Sequence, residues 1–344
     1  MTTITAGPAG LDMSALDLSV VVAGATTAKA AGSFTVDLGE GDIITVTGSN
    51  FTYDGANHLA GGTVTGLADD YLGQNAFQVS GFSEPAATLV GWATNNQSAL
   101  GLQTLFSGDD TLTAPNATAN VLYGYGGNDS IVGGAAADTL DGGAGANTIY
   151  GGAGGDSISS ASSNGANFLR GEDGNDVMSC GTGYNNVNGN KGDDTITGKS
   201  LVGDWLLGGQ GNDQISALQS TGHNIINGNM GADTLHGGTG GDTLRGGQGD
   251  DLIVGGAGND WLSGDLGANT LTTGGGSDTI HAGAGVDTVT DFDVAHDVVL
   301  LDRGVSGIAG QVGADVHLNL SNGGQVILSN IQLNTLNSGW IISS

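Results

Sequence analysis

Gly246-Gly247-Gln248-Gly249-Asp250-Asp251-Leu252-Ile253-Val254 is followed at once by Gly255-Gly256-Ala257-Gly258-Asn259-Asp260-Trp261-Leu262-Ser263. Both are copies of one nine-residue phrase, Gly-Gly-x-Gly-x-Asp-x-apolar-x. With its sixth place as register mark, the phrase runs through Asp110, Asn120, Asp129, Asp138, Asn147, Asp156, Asn167, Asp176, Asn185, Asp194, Asp204, Asp213, Asn224, Asp233, Asp242, Asp251, Asp260, Asn269, Asp278 and Asp287. The spacing is nine throughout, except for one extra residue before Asn120 and Asp204 and two before Asn167 and Asn224. Two places after every mark stands an apolar residue, from Leu112 to Val289. A fixed period of this kind marks a repeat architecture with one structural unit per copy.

The phrase dictates its own geometry. In an x-apolar-x strand only the middle side chain points to one face, because side chains alternate. One apolar residue per nine therefore means a very short strand and a six-residue turn. Two units close a flattened coil of eighteen residues, and stacked coils line their apolar residues into a narrow core. Gly tolerates positive φ, so the turn can direct carbonyl oxygens inward. Together with the Asp carboxylate it offers several hard oxygens, which suits Ca²⁺ with its six to eight oxygen ligands. Each ion is expected between one loop and the next loop on the same edge. The candidate ligands are Asp110, Asp129, Asp138, Asp156, Asp176, Asp194, Asp213, Asp233, Asp242, Asp251, Asp260, Asp278 and Asp287, with loop carbonyls such as those of Gly151, Gly154, Gly171, Gly174, Gly208, Gly211, Gly246, Gly249, Gly255 and Gly258. So thin a core does not by itself offset the chain entropy of ordering nine residues. Ion binding and folding are expected to be one event.

Consecutive marks alternate between the two edges. One edge collects Asn120, Asp138, Asp156, Asp176, Asp194, Asp213, Asp233, Asp251, Asn269 and Asp287 and predicts a continuous calcium row. The other collects Asp110, Asp129, Asn147, Asn167, Asn185, Asp204, Asn224, Asp242, Asp260 and Asp278. Its middle holds four Asn and three of the four insertions, so a metal-poor gap is expected from Asn147 to Asn224. A neutral amide there is free to form a hydrogen-bond ladder between coils instead.

Composition narrows the partners. The formal charge is −29 with six Lys and Arg, which excludes a basic nucleic-acid surface and argues against direct binding to an anionic membrane. Sixty-seven glycines would suggest low complexity, but their period argues for order. The single Cys180 forms no internal disulfide. No run reaches transmembrane length.

The repeat, over about residues 105–290, resembles the RTX (repeats-in-toxin) family of calcium-binding proteins. The resemblance implies a right-handed parallel β-roll and export by a type I secretion apparatus that reads an uncleaved C-terminal signal. Met1-Thr2-Thr3-Ile4-Thr5 carries no N-terminal signal-peptide pattern, in keeping with that route. The expected fold is all-β. Residues 1–104 form a mostly β cap or interaction domain, with strands at Phe34–Leu38 and Ile43–Val46, further strands from Phe51 to Leu67 divided by Gly61-Gly62, and helix between Ser83 and Phe106, capped by Ser83 with Pro85 in its first turn. The stretch Phe51-Thr52-Tyr53-Asp54-Gly55 resembles leaders of other such proteins. Residues 105–290 form the roll. Residues 291–344 form a β cap with the secretion signal, with strands at Asp297–Leu301, Val316–Leu320, Val326–Leu328 and Trp340–Ile342 and a turn at Asn322-Gly323-Gly324.

Motifs of known chemistry are missing: His-Glu-x-x-His of the zinc proteases, Gly-x-Ser-x-Gly of the lipases and the P-loop. The histidines, His58, His223, His236, His281, His296 and His317, read as turn or surface residues, and no catalytic residue is assigned. Trp205, Trp261, Tyr123, Tyr150 and Phe168 fall beside core positions and are expected on the outer face, where a sugar-binding strip is an alternative to plain covering. Three functions are compatible with these features. The favoured one is a secreted, calcium-dependent structural protein of a surface layer or biofilm matrix that self-associates. The others are a secreted adhesin or glycan-binding module recognising a cell-surface polysaccharide, and an exported enzyme with its site in residues 1–104.

Overall fold

The computed structural model describes residues 3–6, 25–29, 33–39, 42–53, 59–71, 74–85, 88, 98–114 and 117–344. The chain divides into two compact units, Met1–Ser160 and Ala161–Ser344. Nearly all regular structure is β, and the coils form a parallel β-solenoid.

In the first unit, β1 (Thr3–Ala6), β2 (Ala25–Lys29), β3 (Ser33–Gly39), β4 (Asp42–Tyr53), β5 (Leu59–Tyr71) and β6 (Gln74–Pro85) pair antiparallel in the order β2, β3, β4, β5, β6, β1. The other side of β1 runs parallel to Thr111–Thr113, the first coil strand. The edge that the first coil would expose is thereby paired, which removes an aggregation hazard. Two parallel ladders follow. Leu112, Ile131 and Ile149 align in one, and Leu122, Leu140 and Ile158 in the other. All six are fully buried or within one per cent of it.

The expectation for Ser83 and Pro85 needs correction. Both end strand β6, and the helix α1 spans Ser98–Leu105. Pairing of Glu84 and Pro85 with Val64 and Thr63 of β5 overrides the local capping pattern. Gly61-Gly62 likewise lies inside β5, where the ladder with β4 is irregular and Gly62 takes φ +114°. Asp54, Gly55 and His58 fall outside the described residues.

In the second unit the ladders are longer. Leu169, Val187, Leu206, Ile226, Leu244, Leu262, Ile280 and Val299 align on one face. Met178, Ile196, Ile215, Leu235, Ile253, Leu271, Val289 and Leu328 align on the other, although the last step, to Gln325–Leu328, joins a strand from outside the repeat. Asp315–Leu320 and Gly307–Val312 extend that end antiparallel, with the expected turn at 322–324, and Ile341–Ser343 pairs with Val298–Leu301. The strand Gly307–Val312 lacked a clear alternating pattern in sequence.

Candidate metal centres

Every register mark is buried, none more than 3 % exposed. The reason is a ladder that runs at right angles to the strands. At most marks the backbone N–H donates to the side chain of the mark one coil later, whereas the Asn167 N–H donates to the Tyr184 carbonyl. In the first unit Asp110, Asn120, Asp129 and Asp138 donate to Oδ1 of Asp129, Asp138, Asn147 and Asp156 at 2.7–2.9 Å. In the second, Asp176, Asp194, Asp213 and Asp233 donate in turn to Asp194, Asp213, Asp233 and Asp251 at 2.8–2.9 Å. On the opposite edge Asp204, Asn224, Asp242 and Asp260 donate to Asn224, Asp242, Asp260 and Asp278 at 2.7–3.0 Å. The alternation of marks between edges is as the sequence spacing requires.

The ladder thus uses one oxygen of a carboxylate. The Oδ2 atoms of Asp129, Asp138, Asp194, Asp213, Asp233, Asp251, Asp260, Asp278 and Asp287 are buried without a hydrogen-bond partner. Carboxylates of successive coils are about one strand spacing, ~4.8 Å, apart. Burial in the first place, and the neighbouring acids after it, push these groups up: to about 7 for Asp129, Asp194 and Asp260, and to about 6 for Asp213, Asp233, Asp251 and Asp278. For Asp287 burial again dominates and the value is about 6. Such an array is stable only if a proton or a cation compensates it.

The first glycine of each loop shows where a cation fits. A Cβ on Gly133 would meet Asp138 Oδ2 at 2.6 Å and the Gly151 carbonyl oxygen at 2.5 Å. On Gly189 it would meet Asp194 Oδ2 and the Gly208 carbonyl, and on Gly237 Asp242 Oδ2 and the Gly255 carbonyl. Each cradle joins a carboxylate to a carbonyl of the next coil, so of the predicted carbonyls Gly151, Gly208 and Gly255 converge with aspartates. The carbonyls of Gly174, Gly211, Gly249 and Gly258 lie instead against Gly192, Gly231, Gly267 and Gly276 of the following coil, all at positive φ. A Cβ on Gly171 or Gly246 would meet Oδ2 of Asp176 or Asp251, and one on Gly154 the backbone at Ala136. No three carboxylate, imidazole or thiol side chains converge among the described residues. A cation here is completed by backbone oxygens, and this donor set of carboxylate plus carbonyls fits Ca²⁺. Asp242 differs from its neighbours, since Oδ2 accepts the Gly238 N–H at 2.6 Å.

The Asn loops are built otherwise. Asn167 Nδ2 donates to Ser163 Oγ, the Gly165 carbonyl and Asn185 Oδ1 at 2.8–3.2 Å. Asn185 Nδ2 donates to the carbonyls of Gly181 and Gly183 and to Asp204 Oδ1 at 2.8–3.2 Å. Asn224 Nδ2 donates to the Gly222 carbonyl and Asp242 Oδ1. The amide occupies the loop oxygens that a cation would need. The inserted loops also bury Ser163, Ser200 and Ser220, and Ser200 Oγ accepts the N–H groups of Val202 and Gly203.

Sequence reasoning missed two features. Asp297 is a further mark, buried, accepting from Asp278 N–H at Oδ1 and from Asp293 N–H at Oδ2. Its signal was Asp297-Val298-Val299, hidden by a glycine-free loop. The fifth loop place forms a second, exposed ladder, in which Asp193, Asn212 and Ala232 N–H donate to Asn175, Asp193 and Asn212 Oδ1. The recurrent Asn or Asp before the mark was its signal. Cys180 is buried and free, its thiol pushed up by burial.

Ser263 Oγ lies 3.2 Å from His281 Nδ1, and His281 Nε2 2.9 Å from Asp302 Oδ1. The order is that of a nucleophilic triad, but Ser263 is fully buried and its hydroxyl donates to Asp265 at 2.6 Å. The imidazole stacks on Trp261, 5.1 Å between centroids, as part of the packing of the outer face.

The chain matches the family described as RTX calcium-binding nonapeptide repeat (4 copies) at residues 116–159, 161–187, 170–200, 203–219, 220–244, 227–262, 236–271 and 263–290. No curated protein matches it. Among solved structures it is similar to the AlgE6R3 subunit of the Azotobacter vinelandii mannuronan C5-epimerase, at 24% identity and a TM-score of 0.27 over 32% of this chain and 78% of that one. It is also similar to the extracellular lipase LipA of Serratia marcescens, at 14% identity and a TM-score of 0.22 over 96% of this chain and 85% of that one. Scores this low bear on no activity.

Proposed function

The chain belongs to the RTX calcium-binding nonapeptide repeat family, and from that membership we propose a secreted, calcium-dependent structural protein of the cell surface or extracellular matrix. The repeat binds calcium. What carries the reading is the row of buried aspartates, among which the second oxygens of Asp129, Asp138, Asp194, Asp213, Asp233, Asp251, Asp260, Asp278 and Asp287 have no protein partner. Asp129, Asp138, Asp156, Asp176, Asp194, Asp213, Asp233, Asp242, Asp251, Asp260, Asp278 and Asp287 would hold ions with the carbonyls of the next coil. Bound calcium neutralises facing carboxylates and clamps successive turns. Loops closed by Asn167, Asn185 and Asn224 take none, because their amides already hold the loop oxygens. Free calcium is scarce in the cytosol and abundant outside, so folding belongs to the exported state. Type I secretion through residues 291–344 is the route in keeping with the family.

The proposed role outside is assembly into a layer or filament, because most of the chain is scaffold. An adhesin is the second reading, favoured by exposed Trp205 on the outer face. Circular dichroism in chelator and in millimolar calcium tests the first step, and electron microscopy of the calcium-loaded protein tests the second. β structure that appears with calcium, followed by ordered filaments or sheets, is expected. An unchanged spectrum after complete chelation would overturn the folding claim, and monomers at all concentrations the assembly claim.

A further inference from the structure

On the outer face of the second unit, the cations and carboxamides gather beside one strand ladder. The residues after the core positions align as Arg170, Asn188, Leu207, Asn227, Arg245 and Ser263. Beside them open two shallow grooves of about 400 and about 370 Å³, which share Asn229 and Met230 and so form one trough along the stacked coils. Its walls carry Asn188, Asn190, Gln210, Asn227, Asn229 and Gln248.

Two of these amides have one end committed. Asn188 Oδ1 accepts the Asn190 N–H and Asn227 Oδ1 the Asn229 N–H, both at 3.1 Å, where Asn190 and Asn229 stand at positive φ in place of the second glycine. The Nδ2 donors are the part left to a ligand. The two amides are two coils apart, or roughly 9–10 Å at one strand spacing per coil. Trp205, 44% exposed, lies on the same strand and face as Leu207, with exposed Ile225 beside it in the ladder. It offers an apolar platform along the strand from Leu207, apart from the residues that line the grooves.

We propose that this trough binds a neutral linear polysaccharide, laid along the coil axis with its ring faces on Trp205 and its hydroxyls on the carboxamides. Few well-placed polar groups beside an aromatic surface are the make-up of a specific small-ligand or glycan site. Charge decides between neutral and acidic chains. Lys191 Nζ is 2.8 Å from Asp173 and Arg245 Nε 3.4 Å from Asp265, so both cations are paired, and Glu172 on the same wall leaves the trough slightly acidic. The chain as a whole, at −29, repels polyanions at long range. The proposal names a partner class for the surface role above. It rests on the folded repeat and not on self-assembly.

The test is affinity electrophoresis of the full, calcium-loaded chain through gels containing hydroxyethylcellulose, dextran or alginate, each variant first matched to wild type by circular dichroism. A spectrum without β structure would sink the folding claim, and binding is read only on folded protein. Retardation by a neutral polymer is expected, weakened about tenfold by Trp205→Ala, the loss typical of an aromatic anchor. Gln210→Ala should weaken it too, and Leu201→Ala, in an exposed loop on an edge, should leave it unchanged. Wild type unretarded by both neutral polymers, retardation by alginate alone, or equal retardation of Trp205→Ala and Gln210→Ala with wild type would overturn the proposal.

Discussion

At the scale of single residues, proton and calcium compete for the same oxygens. Asp129, Asp194 and Asp260 sit near 7 in the ion-free fold and Asp213, Asp233, Asp251 and Asp278 near 6, against about 3.9 for an unfolded aspartate. A folded-state value above the unfolded one means that the fold takes up protons. The stability it contributes is complete below about pH 4 and is lost as pH rises through 6 to 7. In chelator, β structure should therefore return as pH is lowered from 8 to 4, read by circular dichroism. A chelated protein equally disordered at both ends of that range would contradict the burial of these carboxylates. Asn185 offers the opposite test. Asn185→Asp removes three amide donations and sets a carboxylate against Asp204. In chelator it should destabilise by roughly 1–3 kcal/mol, the cost of an unsatisfied buried polar group. In saturating calcium, native mass spectrometry should count one ion more than in wild type. An unchanged count would show that the amide does not keep calcium out.

At the scale of the element, each coil rests on a pair of apolar rungs. Leu206 is fully buried between Val187 and Ile226. Leu206→Ala should cost about 2–5 kcal/mol in calcium, the range for core truncations. Ile225→Ala, one residue away on the outer face and 41% exposed, should stay within about 0.5 kcal/mol. Urea unfolding in saturating calcium measures both, and equal losses would mean that the ladder does not separate the two faces. The rungs and the marks were legible in sequence because every copy restates the same constraint: Leu206, Ile226 and Leu244 each stand two places past a mark. Asp297 was not, since its loop reaches the same geometry through Asp293 N–H without glycines. Ser83 and Pro85 misled for a different reason. Their local pattern is that of a helix start, and only pairing with the preceding strand β5 makes it a strand. The amide locks at Asn167 and Asn224 were legible as a loss of charge. The buried serines that complete them were not, because a Ser in a loop has no preferred side.

At the scale of the whole molecule, the charge of −29 on 344 residues favours an expanded chain through self-repulsion when no cation is bound. Deleting residues 291–344 should retain the protein inside the cell, scored by immunoblot of medium against cells, and continued secretion would remove that segment as the signal. The same truncation takes away the strands that pair with 286–289 and 279–282, so its stability in calcium, compared on purified protein, separates the two roles. The donor–acceptor sense of the mark ladder has a last consequence. Asp176 N–H reaches forward to Asp194, Asp194 to Asp213, and Asp213 to Asp233. Each coil is thus completed by a side chain of its successor. A chain whose C-terminus emerges first lays down the acceptor before the donor arrives. Were the chain delivered in that order, every new stretch would meet a finished template, coils would settle one upon another from the tail toward the head, and each settled coil would act as a pawl against backward sliding.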